Sequence, residues 1–160
     1  MNKVLKNFEK NKNLRKVLSK FSTGVTVVTT SNKNGDPVGI TVNSFSSVSL
    51  DPPLILWCLG KTQPSYIDFF NSNGFVVNIL SKNQIDVCER FSKPCINKFK
   101  NFDHEKTKEG FPLIQNSLAT IECKQWNVYP GGDHDIFVGR IIRHTFSKKH
   151  PLLFWNGNLV

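Results

Sequence analysis

The order of the periodic segments constrains this chain most. After one amphipathic stretch, apolar and β-branched runs follow one another with only two short helical stretches between them. A doubly wound sheet needs helices alternating with strands, so this order excludes it and favours an antiparallel barrel with peripheral helices. Residues 12–21 set Leu14, Val17, Leu18 and Phe21 on one helix stripe, with Lys on the other face. From residue 24 the period changes. Val25, Val27, Val28 and Thr29 form a β-branched run that stops at the turn-rich Ser31–Pro37. Strands are expected at 37–42, 45–50 and 53–60, with Asp51-Pro52-Pro53 punctuating the last two. A short helix over 63–72 presents Tyr66, Ile67, Phe69 and Phe70, and ends by Gly74. A buried strand follows at 75–80, a helix at 82–92 through Ile85, Val87, Cys88 and Phe91, and a polar irregular stretch over 93–112. Strands return at 117–128, 135–147 and 151–156.

With 160 residues and neither linker nor repeat, the chain reads as one domain over 1–160, with 1–21 a basic N-terminal helix packed on the barrel. No stretch approaches the roughly 18 apolar residues of a membrane span, and the first residues lack the apolar core of a signal peptide, so the default location is cytoplasmic. The formal charge is +9. Much of it sits at Lys3, Lys6, Lys10, Lys12, Arg15, Lys16 and Lys20, against Glu9 alone. The cations are mostly Lys and Asn is abundant, a bias that an A/T-rich coding sequence produces without selection for phosphate binding. A solvated helix face accounts for the run, and no nucleic-acid partner is expected. Cys58, Cys88, Cys95 and Cys123 show no zinc-like spacing and read as free thiols of a reducing compartment, so no metal is expected.

Four segments have chemistry to offer. Gly39-Ile40-Thr41-Val42-Asn43-Ser44-Phe45-Ser46-Ser47 gathers small polar side chains where one strand ends and the next begins. That surface suits the edge of a flat heterocycle, with Gly permitting close approach, and it also reads as a plain polar strand–turn–strand. In Cys58-Leu59-Gly60-Lys61-Thr62-Gln63-Pro64-Ser65 a strand gives way to a helix beginning near Thr62. Lys61, Thr62 and Ser65 beside free N–H groups offer a phosphate seat, and simple capping by Thr62 is the alternative. Gly131-Gly132-Asp133-His134-Asp135 puts one His between two acids ahead of a strand. It is open to a hydrolase, metal, cofactor or purely structural role, although there is no G-x-S-x-G elbow and no ligand spacing to the other histidines. Pro151-Leu152-Leu153-Phe154-Trp155-Asn156-Gly157 is a last barrel strand whose aromatics are able to stack on a planar ligand.

Taken in order, these segments resemble the flavin reductase domain family. The matching residues are Phe21–Thr30, Gly39–Phe45, Ser47–Leu54, Val77–Leu80, Gly132–His134, Phe137–Gly139 and Pro151–Phe154. Each motif alone is weak, whereas the ordered set is specific and spans about residues 12–157. The resemblance implies a mainly β fold, an antiparallel, Greek-key-like flavin-binding split barrel with peripheral short helices. It implies FMN or FAD as cofactor, NADH or NADPH as co-substrate, and hydride transfer from nicotinamide C4 to flavin N5. Reduced flavin would then pass to a partner monooxygenase. The family is typically a homodimer with flavin at the subunit interface.

Carried over by position, residues 37–44, including Gly39 and Ile40, would line the isoalloxazine with Thr41, Asn43 and Ser44 as polar contacts, and Ser47 would be a further cofactor-binding residue. Cys58, Lys61, Thr62 and Ser65 would hold the ribityl phosphate, Phe91 and Ser92 the dinucleotide tail or a dimer contact, and His134 the nicotinamide site. Members often continue with Gly-x-Tyr where this chain has Leu159, so Trp155 is the expected replacement aromatic. The rings carry the redox chemistry, which agrees with the lack of a nucleophile or catalytic carboxylate in the sequence. A flavin-binding electron carrier or flavin store on the same barrel is the competing reading. A basic nucleic-acid barrel is disfavoured, because the strands lack interleaved aromatic and basic residues.

Overall fold

The computed structural model of the chain describes residues 12–95 and 97–160. Lys3, Lys6, Glu9 and Lys10 lie outside the described residues. Helix α1 covers residues 12–18. Strands β1 (Thr23–Gly24), β2 (Thr26–Ser31), β3 (Pro37–Val42), β4 (Ser46–Leu50) and β5 (Pro53–Gly60) follow. Next come α2 (Tyr66–Asn71), β6 (Gly74–Ile79), α3 (Ile85–Ser92), β7 (Glu105–Lys106) and β8 (Pro112–Leu113). Strands β9 (Ala119–Gly131), β10 (His134–Phe146), β11 (Leu153–Trp155) and β12 (Asn158–Leu159) complete the chain.

A seven-stranded sheet runs in the order β3-β2-β6-β9-β10-β5-β4, with every pairing antiparallel. Its two edge strands, β3 and β4, are consecutive in the chain and joined only by Asn43–Phe45. So short a joint forces the sheet to curl until its edges meet at one corner, which gives an incompletely closed barrel. The Ser44 hydroxyl fixes that corner, donating to the Cys58 carbonyl at 3.1 Å and accepting from the Cys58 N–H at 2.9 Å.

Two cores follow from strand alternation. In β2, Val28 faces the barrel interior and Val27 the opposite side, where α3 packs. The interior centres on the fully buried Trp57, whose ring lies 5.0 Å from Phe69, 5.6 Å from Phe75 and 4.9 Å from Phe137. Outside, Phe91 of α3 is also fully buried, edge-on to Phe99 at 4.9 Å and Phe102 at 5.2 Å. The polar stretch that carries those two rings is tied to α3. The buried Lys98 ammonium caps the helix end by donating to the Phe91 carbonyl at 2.7 Å, and Arg90 donates to the carbonyls of Lys98 and Lys100. Burial lowers the Lys98 pKa from its ordinary range. Asn78, also fully buried, donates to the Val27 carbonyl and Thr29 hydroxyl and accepts from the Ile114 N–H, which staples the segment after β8 to the sheet.

Three expectations need correction. The stripe Leu14, Val17, Leu18 and Phe21 is exposed and not packed on its own barrel. The helix end is held instead by polar bonds: Asn156 N–H to the Ser19 carbonyl at 2.9 Å, and Lys20 Nζ to Asn156 Oδ1 at 2.8 Å. The helix expected near Thr62 starts at Tyr66, because Lys61–Ser65 is spent in consecutive turns. The single strand expected over 151–156 is a hairpin. Asn156 and Gly157 have φ of 52° and 84°, the pair of left-handed residues that a tight two-residue turn demands, and the chain returns as β12.

Candidate active site

A cleft of about 330 Å³ opens where β3, α3 and the C-terminal hairpin meet. Val25, Val42, Phe154 and Leu159 supply apolar walls; Thr41, Asn43, Glu89 and Ser92 add polar groups, and Cys88 completes the lining. Thr41 Oγ1 donates to the Cys88 carbonyl at 2.8 Å, holding β3 against α3, and its lone pairs remain free to accept. Ser92 Oγ donates to the Glu89 carbonyl at 2.8 Å. The Asn43 side chain is exposed and has no hydrogen-bond partner among the described residues, so its amide has both donors and acceptor to offer. A planar apolar ring system with a polar edge fits such a cleft.

The barrel corner links this cleft to a second group of residues. Ser44 holds Cys58, and two residues further on Gly60 pairs with His134. His134 opens β10 after the two-residue turn Gly132-Asp133, whose Gly132 needs its φ of 80°. Asp133 is pulled below the ordinary carboxylate range, first by its hydrogen bond with His134. An ionised carboxylate only accepts, so His134 Nδ1, 2.8 Å away, carries the hydrogen. Nε2 is then the atom left for a ligand. It lies 3.5 Å from where a side-chain carbon on Gly60 would stand, an ordinary contact distance that places the imidazole directly against this glycine.

Lys61 Nζ donates to the Gly132 carbonyl at 2.9 Å and sits 3.2 Å from Asp135 Oδ1. Asp135 is buried, and its other oxygen accepts from the Tyr66 hydroxyl. That hydrogen bond is the main reason the Asp135 pKa is lowered and the Tyr66 pKa is raised. Cys58 is half-buried, and burial raises its thiol pKa against an opposing hydrogen bond from Ser44.

The structure divides the expected site residues. Thr41, Asn43 and Ser92 meet in the cleft; Ser44 and Cys58 form the corner; Lys61 and His134 meet at the β5–β10 end. Ser65 instead faces a cavity of about 540 Å³ lined by Lys98 and Lys100, and Thr62 is exposed on the turn. Ser47 is exposed on β4, at a bulge in the edge pairing. Ile40 belongs to the barrel core and Phe91 to the α3 core, so both side chains pack inside the protein. Gly39 leaves room for a ring of its own chain. A Cβ there would stand 2.7 Å from Phe91 Cε1. Trp155 does not line the cleft, whereas its neighbour Phe154 does, because adjacent strand residues point to opposite faces. Sequence reasoning assigned no site role to Cys88, Glu89 or Tyr66, and named Phe154, Leu159 and Asp135 without giving any of them its place in the site. Among the described residues no group of three or more His, Cys, Asp or Glu is placed to hold a metal, and no helix is long and apolar enough to cross a membrane.

Comparison with known proteins shows which family the chain belongs to. The model of the "Flavin reductase like domain" matches residues 18–160. The FMN reductase (NADH) SmoA of Agrobacterium fabrum is 40% identical over 149 residues, 93% of this chain and 84% of that protein. The flavin-dependent monooxygenase reductase subunit HsaB of Rhodococcus jostii is 40% identical over 89% of this chain and 73% of its own. A probable flavin reductase of Rhizobium meliloti is 41% identical over 90% of this chain, which spans only 46% of that longer protein. Among solved structures, the Streptomyces globisporus NADH:FAD oxidoreductase SgcE6, in complex with NAD and FAD fragments, superimposes with a TM-score of 0.89 at 36% identity. That alignment covers 95% of this chain and 92% of the other.

Proposed function

The chain belongs to the flavin reductase like domain family, and we propose that it is an NAD(P)H:flavin oxidoreductase delivering reduced FMN or FAD to a partner monooxygenase. One observation carries the reading: Asn43, in the cleft wall, adjoins Ser44, which is bonded to Cys58, and β5 runs on from Cys58 to Gly60 and Lys61 beside His134. Such a layout suits a flavin, which needs an apolar seat, a polar ring edge and a phosphate contact. A bound flavin supplies an N5 that accepts hydride from nicotinamide C4.

The residues of this chain bind, orient and exclude. Val42, Phe154 and Leu159 keep water from one face of the ring. Thr41, Asn43 and Ser92 meet its polar edge, and Lys61 with Thr62 meets the phosphate. His134, with Nδ1 fixed by Asp133, presents Nε2 to the nicotinamide carboxamide. A homodimer fits the same picture. The exposed stripe Leu14, Val17, Leu18 and Phe21 is an apolar surface that a second copy would cover, close to the hairpin that walls the cleft. Light scattering on the purified protein reads that mass directly.

The test of function mixes the protein with NADH or NADPH and FMN, FAD or riboflavin, and follows nicotinamide absorbance. Flavin-dependent turnover is expected. A tightly held yellow cofactor without turnover would replace this reading with an electron carrier or flavin store.

A further inference from the structure

Lys61 sits on an exposed turn, where a lysine stem ordinarily samples many positions. Here its ammonium donates to the Gly132 carbonyl at 2.9 Å and forms an ion pair with Asp135 Oδ1 at 3.2 Å. The carboxylate behind it is unusual. Asp135 is only 6% exposed, and Oδ1 has no hydrogen-bond partner, so the ammonium is its sole compensation. No other cation among the described residues lies within ion-pair distance of it. An unpaired buried carboxylate is costly, so the pair is coupled more tightly than a surface ion pair. The Tyr66 hydroxyl, on the first residue of α2, fixes the other carboxylate oxygen. Tyr66 is fixed in turn by stacking on Phe70 and an edge contact with Phe137.

We infer that Asp135 is a positioning residue: held by Tyr66, it anchors the Lys61 ammonium beside Gly132 so that its remaining N–H binds the flavin 5′-phosphate. This rests on the flavin reading above and adds the residue that gives Lys61 its place. The carboxylate itself touches no ligand. Its effect is confined to flavins that carry a phosphate, because riboflavin has nothing for Lys61 to hold.

The test is flavin binding by fluorescence titration, free of turnover, with FMN and riboflavin on wild type, Lys61→Met, Asp135→Asn and the double variant. Melting curves run alongside. Each single variant is expected to weaken FMN about tenfold and to move riboflavin by less than about twofold. The double variant is expected to bind FMN no worse than Lys61→Met, since Asp135 acts only through Lys61. Tyr66→Phe should give a smaller loss with the same FMN-to-riboflavin contrast. Equal losses for FMN and riboflavin in Asp135→Asn, or additive losses in the double variant, would show a structural role and overturn the inference. So would a Lys61→Met protein that binds FMN normally, or one that loses only NADH affinity, which would put the anion on the nicotinamide side. Wild type that binds neither flavin would instead bring down the flavin reading itself.

Discussion

Gly39 offers the sharpest test of the site geometry, because sequence and structure give it different jobs. The sequence suggests that its missing side chain lets a ligand approach; the structure puts Phe91 there. A Cβ at Gly39 would stand 2.7 and 2.8 Å from Phe91 Cε1 and Cδ1 and 3.2 Å from Phe99 Cε2. The first two are closer than real carbon contacts allow. Phe91 cannot retreat easily, since it is fully buried between Phe99 and Phe102. Gly39→Ala should therefore cost about 1–3 kcal/mol, the usual penalty of overpacking a filled core. For a chain of this size that lowers the melting temperature by roughly 3–10 °C. Flavin binding weakens as a consequence, because α3 carries the Cys88 carbonyl that anchors Thr41. Trimming the ring should relieve the clash, so Gly39→Ala with Phe91→Leu should be less destabilised than the sum of the two by about 1 kcal/mol. Urea denaturation of the four proteins measures this. A Gly39→Ala protein as stable as wild type but unable to bind flavin would refute the reasoning and restore the ligand-approach reading, as would strict additivity.

Three further outcomes are expected. Asn78→Ala strips partners from the Ile114 N–H and Thr29 hydroxyl, and urea denaturation should show a loss of about 2–4 kcal/mol; a loss below the usual half kcal/mol of surface changes would mean water replaces the amide. His134→Ala should raise the apparent KM for the nicotinamide by about tenfold in steady-state assays, and unchanged kinetics would remove the imidazole from the site. The third concerns acid. The Glu109 pKa is held down to about 2 within the cluster it forms with Glu122 and Arg143. A carboxylate depressed in the folded state stabilises above its unfolded value of 4.5, and that contribution is lost as pH falls toward 2. Arg143→Met should therefore flatten the pH dependence of the melting temperature in that window, and an unaltered acid limb would count against the Glu109–Arg143–Glu122 cluster.

What the sequence discloses depends on how far each feature relies on distant chain. β5 matches its expected bounds, Pro53–Gly60, because Pro and a Gly-Lys turn bracket an uninterrupted apolar run. β7 and β8 are two residues each, form a two-stranded sheet of their own among the described residues, and adjoin a segment fastened by Asn78, so no local period announces them. The role of Gly39 is hidden for the same reason, since the ring that needs the space lies on another element. Strand parity, by contrast, is legible in the sequence. Leu152 is fully buried, and two residues on Phe154 reaches the cleft wall, while Trp155 has the opposite parity. Asn156-Gly157 then demands a turn, which brings Leu159 back opposite Phe154. Phe137 is fully buried in the barrel, so Asp135, two residues earlier on the same strand, must also point inward. Asp133, in the turn, stays out with His134. Two acids flanking one histidine thus have unlike roles. The outer one orders the imidazole, and the inner one, too costly to bury alone, requires the cation and hydroxyl that Lys61 and Tyr66 bring to it.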